Sequence, residues 1–106
     1  MRTHAVLWSS EGSRCAGRLE SFSDRFELAG RNRRLTLRFA DLTAFSIGRD
    51  RGDRLLGMPV LVLRRRAGDA VRIAVLEGPG LLHDLAARIE YGRHAEPESY
   101  RAESGT

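Results

Sequence analysis

The sequence predicts a mainly β protein of the α+β class: seven antiparallel strands curled into a partly open barrel, capped by one C-terminal helix. Three observations predict this fold. Short segments in which apolar and polar residues alternate recur about every ten residues. Most of the connections between them are of hairpin length, which suits antiparallel neighbours. Only one stretch, residues 78–92, has a helical period. Since a sheet of about seven twisted strands tends to curl, we expect a barrel with the helix covering one open end.

The strands are predicted from alternation along the chain. In the second strand Cys15, Gly17 and Leu19 share a face, and a glycine in mid-strand indicates a bulge or a sharp bend. The fourth strand has the clearest period of two, and the sixth is a continuous apolar run that suits burial on both faces. The longest irregular stretch, residues 48–57, lies before the sixth strand. The predicted strands cover residues 5–8, 14–22, 25–28, 34–39, 43–47, 60–65 and 71–75.

The predicted helix has one apolar stripe, which spans an arc of about 140° on a helical wheel. Pro79 suits the first helical position, and Gly92 suits a left-handed stop. The stripe needs a surface to cover, and the preceding strands provide one. Residues 93–106 are polar and aperiodic, so we expect one domain over residues 1–92 and a disordered polar tail over 93–106. The stripe consists of Leu81, Leu82, Leu85, Ala86 and Ile89.

Composition indicates a single soluble domain of mildly basic character. All 18 basic residues are arginine, which either codon bias or selection for the guanidinium group would produce. The formal net charge is +4; the predicted tail, with two arginines and three glutamates, contributes −1, so the body carries +5. That charge is low for a nucleic-acid binder, and no aromatic residues interleave with the arginines, so no nucleic-acid partner is expected.

Few residues suggest reactive chemistry. Cys15 is the only cysteine, which excludes an intramolecular disulfide and fits a cytoplasmic location. His4, His83 and His94 match no metal-binding spacing. The serines lie outside the nucleophile-elbow motif, and the glycines form no nucleotide-binding motif. We therefore expect no enzyme activity, no catalytic residue, no metal and no cofactor, and we find no apolar run long enough to span a bilayer as a helix.

The order of elements has a counterpart among known folds, and the residues that carry the likeness are 17–20, 26–28, 41–49, 61–63, 71–74 and 78–89. This order resembles the pleckstrin-homology-like (PH-like) superfold, and more narrowly the small bacterial PH-like and GRAM-like proteins. The resemblance implies that residues 1–92 are a PH-like domain that binds other molecules and is not an enzyme. Members of the superfold bind phosphoinositide headgroups, peptides or proteins. In phosphoinositide binders the first loop holds a basic cluster, whereas residues 9–14 here offer Glu11 and one arginine.

Three groups of arginines remain as candidates for a binding surface, each at or beside a loop. They are either solvated strand ends or a surface for an acidic partner. We expect the second and third groups to bind a protein partner through a loop or strand-edge surface. An anionic membrane or acidic ligand is the alternative, and edge-strand pairing into a homo-oligomer is a third hypothesis. The groups are Arg31, Arg33 and Arg34; Arg49, Arg51 and Arg54; and Arg64, Arg65 and Arg66.

Overall fold

A computed structural model of the chain describes residues 2–52, 54–78 and 80–105, with side chains described as far as Gly92. Seven antiparallel strands form one sheet in the order β4-β3-β2-β1-β7-β6-β5, so β4 and β5 are its two edges. The sheet is a curled half-barrel with one C-terminal helix, which confirms the predicted fold class. The elements are β1 (Arg2–Ser10), β2 (Ser13–Ser21), β3 (Arg25–Gly30), β4 (Arg34–Arg38), a short 3₁₀ helix (Phe39–Asp41), β5 (Leu42–Gly48), β6 (Val60–Arg65), β7 (Val71–Val75) and α1 (Gly80–Gly105).

The core lies between the concave face of the sheet and α1. Three residues of the predicted stripe, Leu82, Leu85 and Ile89, are fully buried against it. Burying three such side chains contributes about 5–9 kcal/mol at most. On the sheet side the largest buried residues include Trp8, with Phe26 and Phe39 stacked edge to face at 4.9 Å between ring centroids. The alternating strands therefore place their apolar faces inward, as their period of two predicts.

The apolar run of β6 is buried on both faces, as predicted, because a second and smaller cluster covers its outer side. Leu55 folds back onto Val60 and Val62, together with Ala74 of β7. The backbone closes this fold through a bridge between Leu55 and Met58. The residues between them, Leu56 and Gly57, both have positive φ (49° and 81°), as in a tight hairpin turn. The stretch predicted to be irregular thus contains a small hairpin.

Gly17 has a different role from the predicted bulge. The ladders of β2 with β1 and with β3 run through Gly17 without a change of register, so the predicted bulge is wrong, while the alternative of a sharp bend stays a prediction. A Cβ at this position would collide with the backbone carbonyl of Ala29. Glycine is needed here because β3 approaches β2 too closely for any side chain.

Gly92 likewise does not end the helix, because α1 continues to Gly105. A Cβ at Gly92 would lie 2.6 Å from Phe39 Cδ2 and 2.8 Å from the carbonyl oxygen of Ser23. This glycine therefore allows α1 to pack closely on the 3₁₀ helix and on the turn after β2. Pro79, predicted as the first helical residue, lies outside the described residues. The side chains of residues 93–106 do too, so the boundary at residue 92 stays a prediction.

Candidate binding surface at the mouth of the barrel

The turns that begin β2, β4 and β7 lie at the same end of the barrel. β1 and β7 are antiparallel neighbours, with Ser9 opposite Arg72, which brings the β6–β7 turn beside the β1–β2 turn. Residues 31–33 join β3 to β4, and a 2.8 Å hydrogen bond from the Gly30 N–H to the Arg33 carbonyl closes this turn. A cavity of about 310 Å³ opens among these turns, and its lining includes Trp8, Glu11, Arg33, Arg34 and Arg65.

Arg33 joins the first two hairpins at this end. Its guanidinium carbon lies 4.6 Å from the centroid of the Trp8 ring. Its two Nη groups donate to the carbonyls of Ser13 (3.0 Å) and Ser10 (3.1 Å). The indole N–H of Trp8 in turn donates to the Ala29 carbonyl at 3.2 Å. Because its guanidinium is already bound by Trp8 and the β1–β2 hairpin, the main role of Arg33 is to hold the first two hairpins together.

Arg65 projects from the end of β6 and is held by the turn that follows. Its Nε–H donates to the Asp69 carbonyl at 3.0 Å. Gly68 (φ 93°) makes room for it, since a Cβ there would lie 2.7 Å from an Nη atom of Arg65. Both Nη groups of Arg65 have no hydrogen-bond partner among the described residues. The bond from Nε therefore fixes the orientation of the guanidinium, and the two Nη groups are free to donate to a ligand.

A second cavity, of about 300 Å³, adjoins the first at Arg65 and runs between β4 and the start of β5. Arg38 and Arg66 line it on either side, with Asp41 between them in sequence. The two cavities together define what we call the basic mouth, lined by five arginines and two acids. Among the described residues, the side chains of Arg34, Arg38 and Arg66 have no hydrogen-bond or ion-pair partner. The arginines of the basic mouth are Arg33, Arg34, Arg38, Arg65 and Arg66, and the acids are Glu11 and Asp41.

The six arginines predicted to bind a partner do not lie together. β5 and β6 form a hairpin in which Gly48 is opposite Val60 at one end and Leu42 opposite Arg65 at the other. Six residues of strand separate those ends by about 20 Å. Arg64, Arg65 and Arg66 are therefore at the mouth end, and Arg49, Arg51 and Arg54 are at the far end of the same hairpin. Whether either group binds a partner stays a prediction.

Two of the three arginines at the far end hold the loop in place. An Nη group of Arg49 lies 3.1 Å from Nε2 of His83 on α1. The Nε–H of Arg54 donates to the Arg49 carbonyl at 2.8 Å. Arg51 is exposed, with no such contact among the described residues. These contacts give Arg49 and Arg54 a structural role in docking the loop against the helix.

Three arginines of the basic mouth lie outside the six predicted site residues: Arg33 and Arg34, which belong to the first candidate group, and Arg38, which no group included. A signal for two of them was present in the sequence, because Arg34 and Arg38 alternate with the apolar residues of the fourth strand and so share its outer face. The partners of these residues across the mouth come from β6, which follows more than twenty positions later in the chain. Alternation within one strand cannot show that these residues lie close to the end of β6.

Other polar groups make isolated pairs. Asp24 and Glu27 flank Arg25 at 2.8 and 2.7 Å, and the hydrogen bonds that Arg25 donates, first to Glu27 and then to Asp24, raise the pKa of its guanidinium above the ordinary value. His4 Nδ1 lies 3.3 Å from a carboxylate oxygen of Glu77. Within the described ranges, no group of three or more His, Cys, Asp or Glu residues is placed to hold a metal ion.

The seven-stranded antiparallel sheet and its C-terminal helix define a PH-like β-barrel fold. Two solved structures share it: the N-terminal PH domain of Vps36 (TM-score 0.63, 18% identity, 85% of this chain and 77% of that one) and the C-terminal domain of an unknown protein from Leishmania infantum (TM-score 0.64, 8% identity, 84% and 82%). At such identities the likeness shows the fold alone. No family model matches the sequence, and no curated protein matches it. In the described part of the chain, no helix is long and apolar enough to cross a membrane.

Proposed function

We propose that this protein is a non-catalytic interaction module whose basic mouth binds an acidic segment of a partner protein. The observation that supports it best is that arginines from separate elements, β4 and the end of β6, line adjoining cavities. The PH-like fold supports the non-catalytic part, since it typically serves interaction domains. A cytoplasmic location and a kinship with the bacterial GRAM-like proteins belong to the same proposal.

Guanidinium groups in a cleft suit carboxylates for a physical reason. Each presents paired N–H donors that match the two oxygens of a carboxylate, and a cleft screens the pair from water better than a flat surface does. Arg65 is already oriented by the Asp69 carbonyl, so binding fixes little additional side-chain motion. Because Arg34 and Arg66 have no partner among the described residues, a ligand need not break an existing ion pair to reach them.

An anionic lipid headgroup is the second candidate, because phosphate would meet the same donors. Glu11 favours the protein partner over it. This residue lies at the tip of the β1–β2 turn with φ 54°, exposed at the lip of the mouth. A carboxylate at the lip opposes close approach to a negative membrane surface, whereas a peptide is able to enter beside it.

Isothermal titration of the full chain with poly-glutamate tests the proposal. The variant Arg65→Gln should bind at least about tenfold more weakly, because one charge-assisted contact of 1.5–3 kcal/mol is lost. The matched control is Arg51→Gln, which removes the same charge about 20 Å away. Equal affinities for the two variants would contradict a site at the mouth. Co-sedimentation with phosphatidylserine vesicles is the second arm: vesicle binding without poly-glutamate binding would favour the lipid candidate.

A further inference from the structure

The backbone of β4 is open along one side. β4 lies at one end of the sheet order, with β3 as its neighbour. Two hydrogen bonds show which residues of this strand bond to β3: the Gly30 N–H donates to the Arg33 carbonyl, and the Phe39 N–H donates to the Asp24 carbonyl. In an antiparallel ladder, alternate residues bond to the neighbouring strand and those between point away. The intervening residues of β4 thus face the open edge: Arg34 and Thr36 with both N–H and C=O, and Arg38 with its N–H, since its carbonyl accepts the first hydrogen bond of the 3₁₀ helix.

The side chains of these same three residues are exposed on the outer face of β4. Arg34 and Arg38 are four residues apart, about 13 Å along the strand. Neither has a partner among the described residues. The nearest acid on this face, Glu27, pairs with Thr36 across the ladder, but its carboxylate is bound by Arg25 at 2.7 Å. The open edge therefore combines free backbone groups with two unpaired positive charges.

We propose that the acidic segment binds β4 as an added strand. This inference rests on the proposed function and makes it more specific: the partner segment is extended, and it carries carboxylates four residues apart opposite Arg34 and Arg38. Main-chain hydrogen bonds to Arg34, Thr36 and Arg38 supply affinity, while the two charges select the sequence. Side chains on the other face of the added strand point toward the cavity that Arg65 and Arg66 line.

The charges on β4 disfavour a second copy of the chain as the occupant. An antiparallel pair of β4 strands centred on Thr36 would place Arg34 directly opposite Arg38 at both ends. Like charges in that position are destabilising. The same argument explains how an exposed edge is kept from self-pairing, since charged side chains on an edge strand are a known protection.

The other edge of the sheet is less suited to an acidic segment. The exposed residues of β5 are Thr43, Ala44 and Ser46, which carry no charge. The helix α1 also packs against β5. An acidic strand therefore gains charge complementarity at β4 and not at β5.

The test is isothermal titration of the full chain with a nine-residue peptide that has glutamate at two positions four apart, with threonine and valine elsewhere. Thr36→Pro removes the outward N–H without removing a ladder bond, since that N–H faces away from β3. It should weaken peptide binding at least about tenfold, because it removes a main-chain hydrogen bond at the centre of the added strand and disturbs those that the neighbouring residues make. The matched control, Thr36→Val, keeps the N–H and the preference for strand, and should bind as the parent does.

Three outcomes decide the matter. If Thr36→Pro binds normally while Arg65→Gln does not, the segment binds through side chains in the mouth, and strand addition is wrong although the proposed function stands. If neither change matters, both fail. If the chain binds phosphatidylserine vesicles and not the peptide, the inference also fails. A peptide N-methylated at alternate residues repeats the test on the unaltered protein, so a folding defect in Thr36→Pro cannot hide the answer; undiminished binding of that peptide overturns the inference.

Discussion

Replacing Gly92 with alanine should destabilise the protein, although alanine is the better helix former. In an unobstructed helix interior the exchange stabilises by about 1 kcal/mol. Here the added methyl would lie 2.6 and 3.0 Å from two carbons of the Phe39 ring and 2.8 Å from the Ser23 carbonyl oxygen. Phe39 is fully buried and stacked on Phe26, so its ring has little room to move. Overpacking of this kind costs about 1–3 kcal/mol or more. After the gain in helix preference is subtracted, we expect the free energy of unfolding to fall by about 1–2 kcal/mol.

Urea unfolding followed by far-ultraviolet circular dichroism measures this loss, and thermal unfolding should show a midpoint lower by about 5–15 °C. Gly80→Ala is the matched control, because the same methyl added at the start of α1 meets no atom within 4 Å among the described residues. That variant should be neutral or slightly more stable. The reasoning would be refuted if Gly92→Ala proved as stable as Gly80→Ala, since helix preference alone would then account for both.

Three further predictions follow from the geometry. Gly17→Ala should lower the free energy of unfolding by about 3 kcal/mol or more, because the new methyl collides with the Ala29 carbonyl. A thermal midpoint within a few degrees of the parent would contradict the close approach of β3 to β2. Arg33→Gln should cost about 1–3 kcal/mol and change the fluorescence of Trp8, the only tryptophan; an unchanged emission spectrum would argue against the stacking. Leu56→Asn should stabilise by about 0.5–1 kcal/mol in urea, because asparagine tolerates positive φ and the leucine is 68% exposed; a loss of stability would show that Leu56 has a packing role.

The sequence was sufficient to predict what depends on neighbours in the chain. Alternation located the strands, and the uninterrupted run of β6 correctly indicated burial on both faces. The helical stripe was correct for Leu82, Leu85 and Ile89. The two glycines were misread for a common reason. A close approach between distant backbones, as at Gly17 and Gly92, leaves no periodic signal, whereas a bulge or a helix stop is the usual local explanation for a glycine.

The proposed binding surface depends on contacts between residues far apart in the sequence, so only part of it could be predicted. Alternation alone placed Arg34 and Arg38 on one strand face. Their relation to Arg65 requires knowing that β1 pairs with β7, because that pairing brings the β6–β7 turn to the end where the β1–β2 turn lies. Arg49 and Arg54 fall in the longest loop, and there they bond to His83 and to the loop backbone.

The arginines therefore divide by what their guanidinium groups already bind, which matters more than how many there are. Arg25, Arg33, Arg49 and Arg54 are engaged by carboxylates, carbonyls, a ring face or an imidazole, so a ligand would have to displace an internal contact to use them fully. The arginines of β4 and Arg66 have no such contact among the described residues. Codon bias would explain why all eighteen basic residues are arginine and not lysine, and it applies equally to the engaged and the unengaged arginines. Two of the unengaged arginines, Arg34 and Arg38, lie on the open edge of the sheet, where a partner strand would meet both charge and backbone.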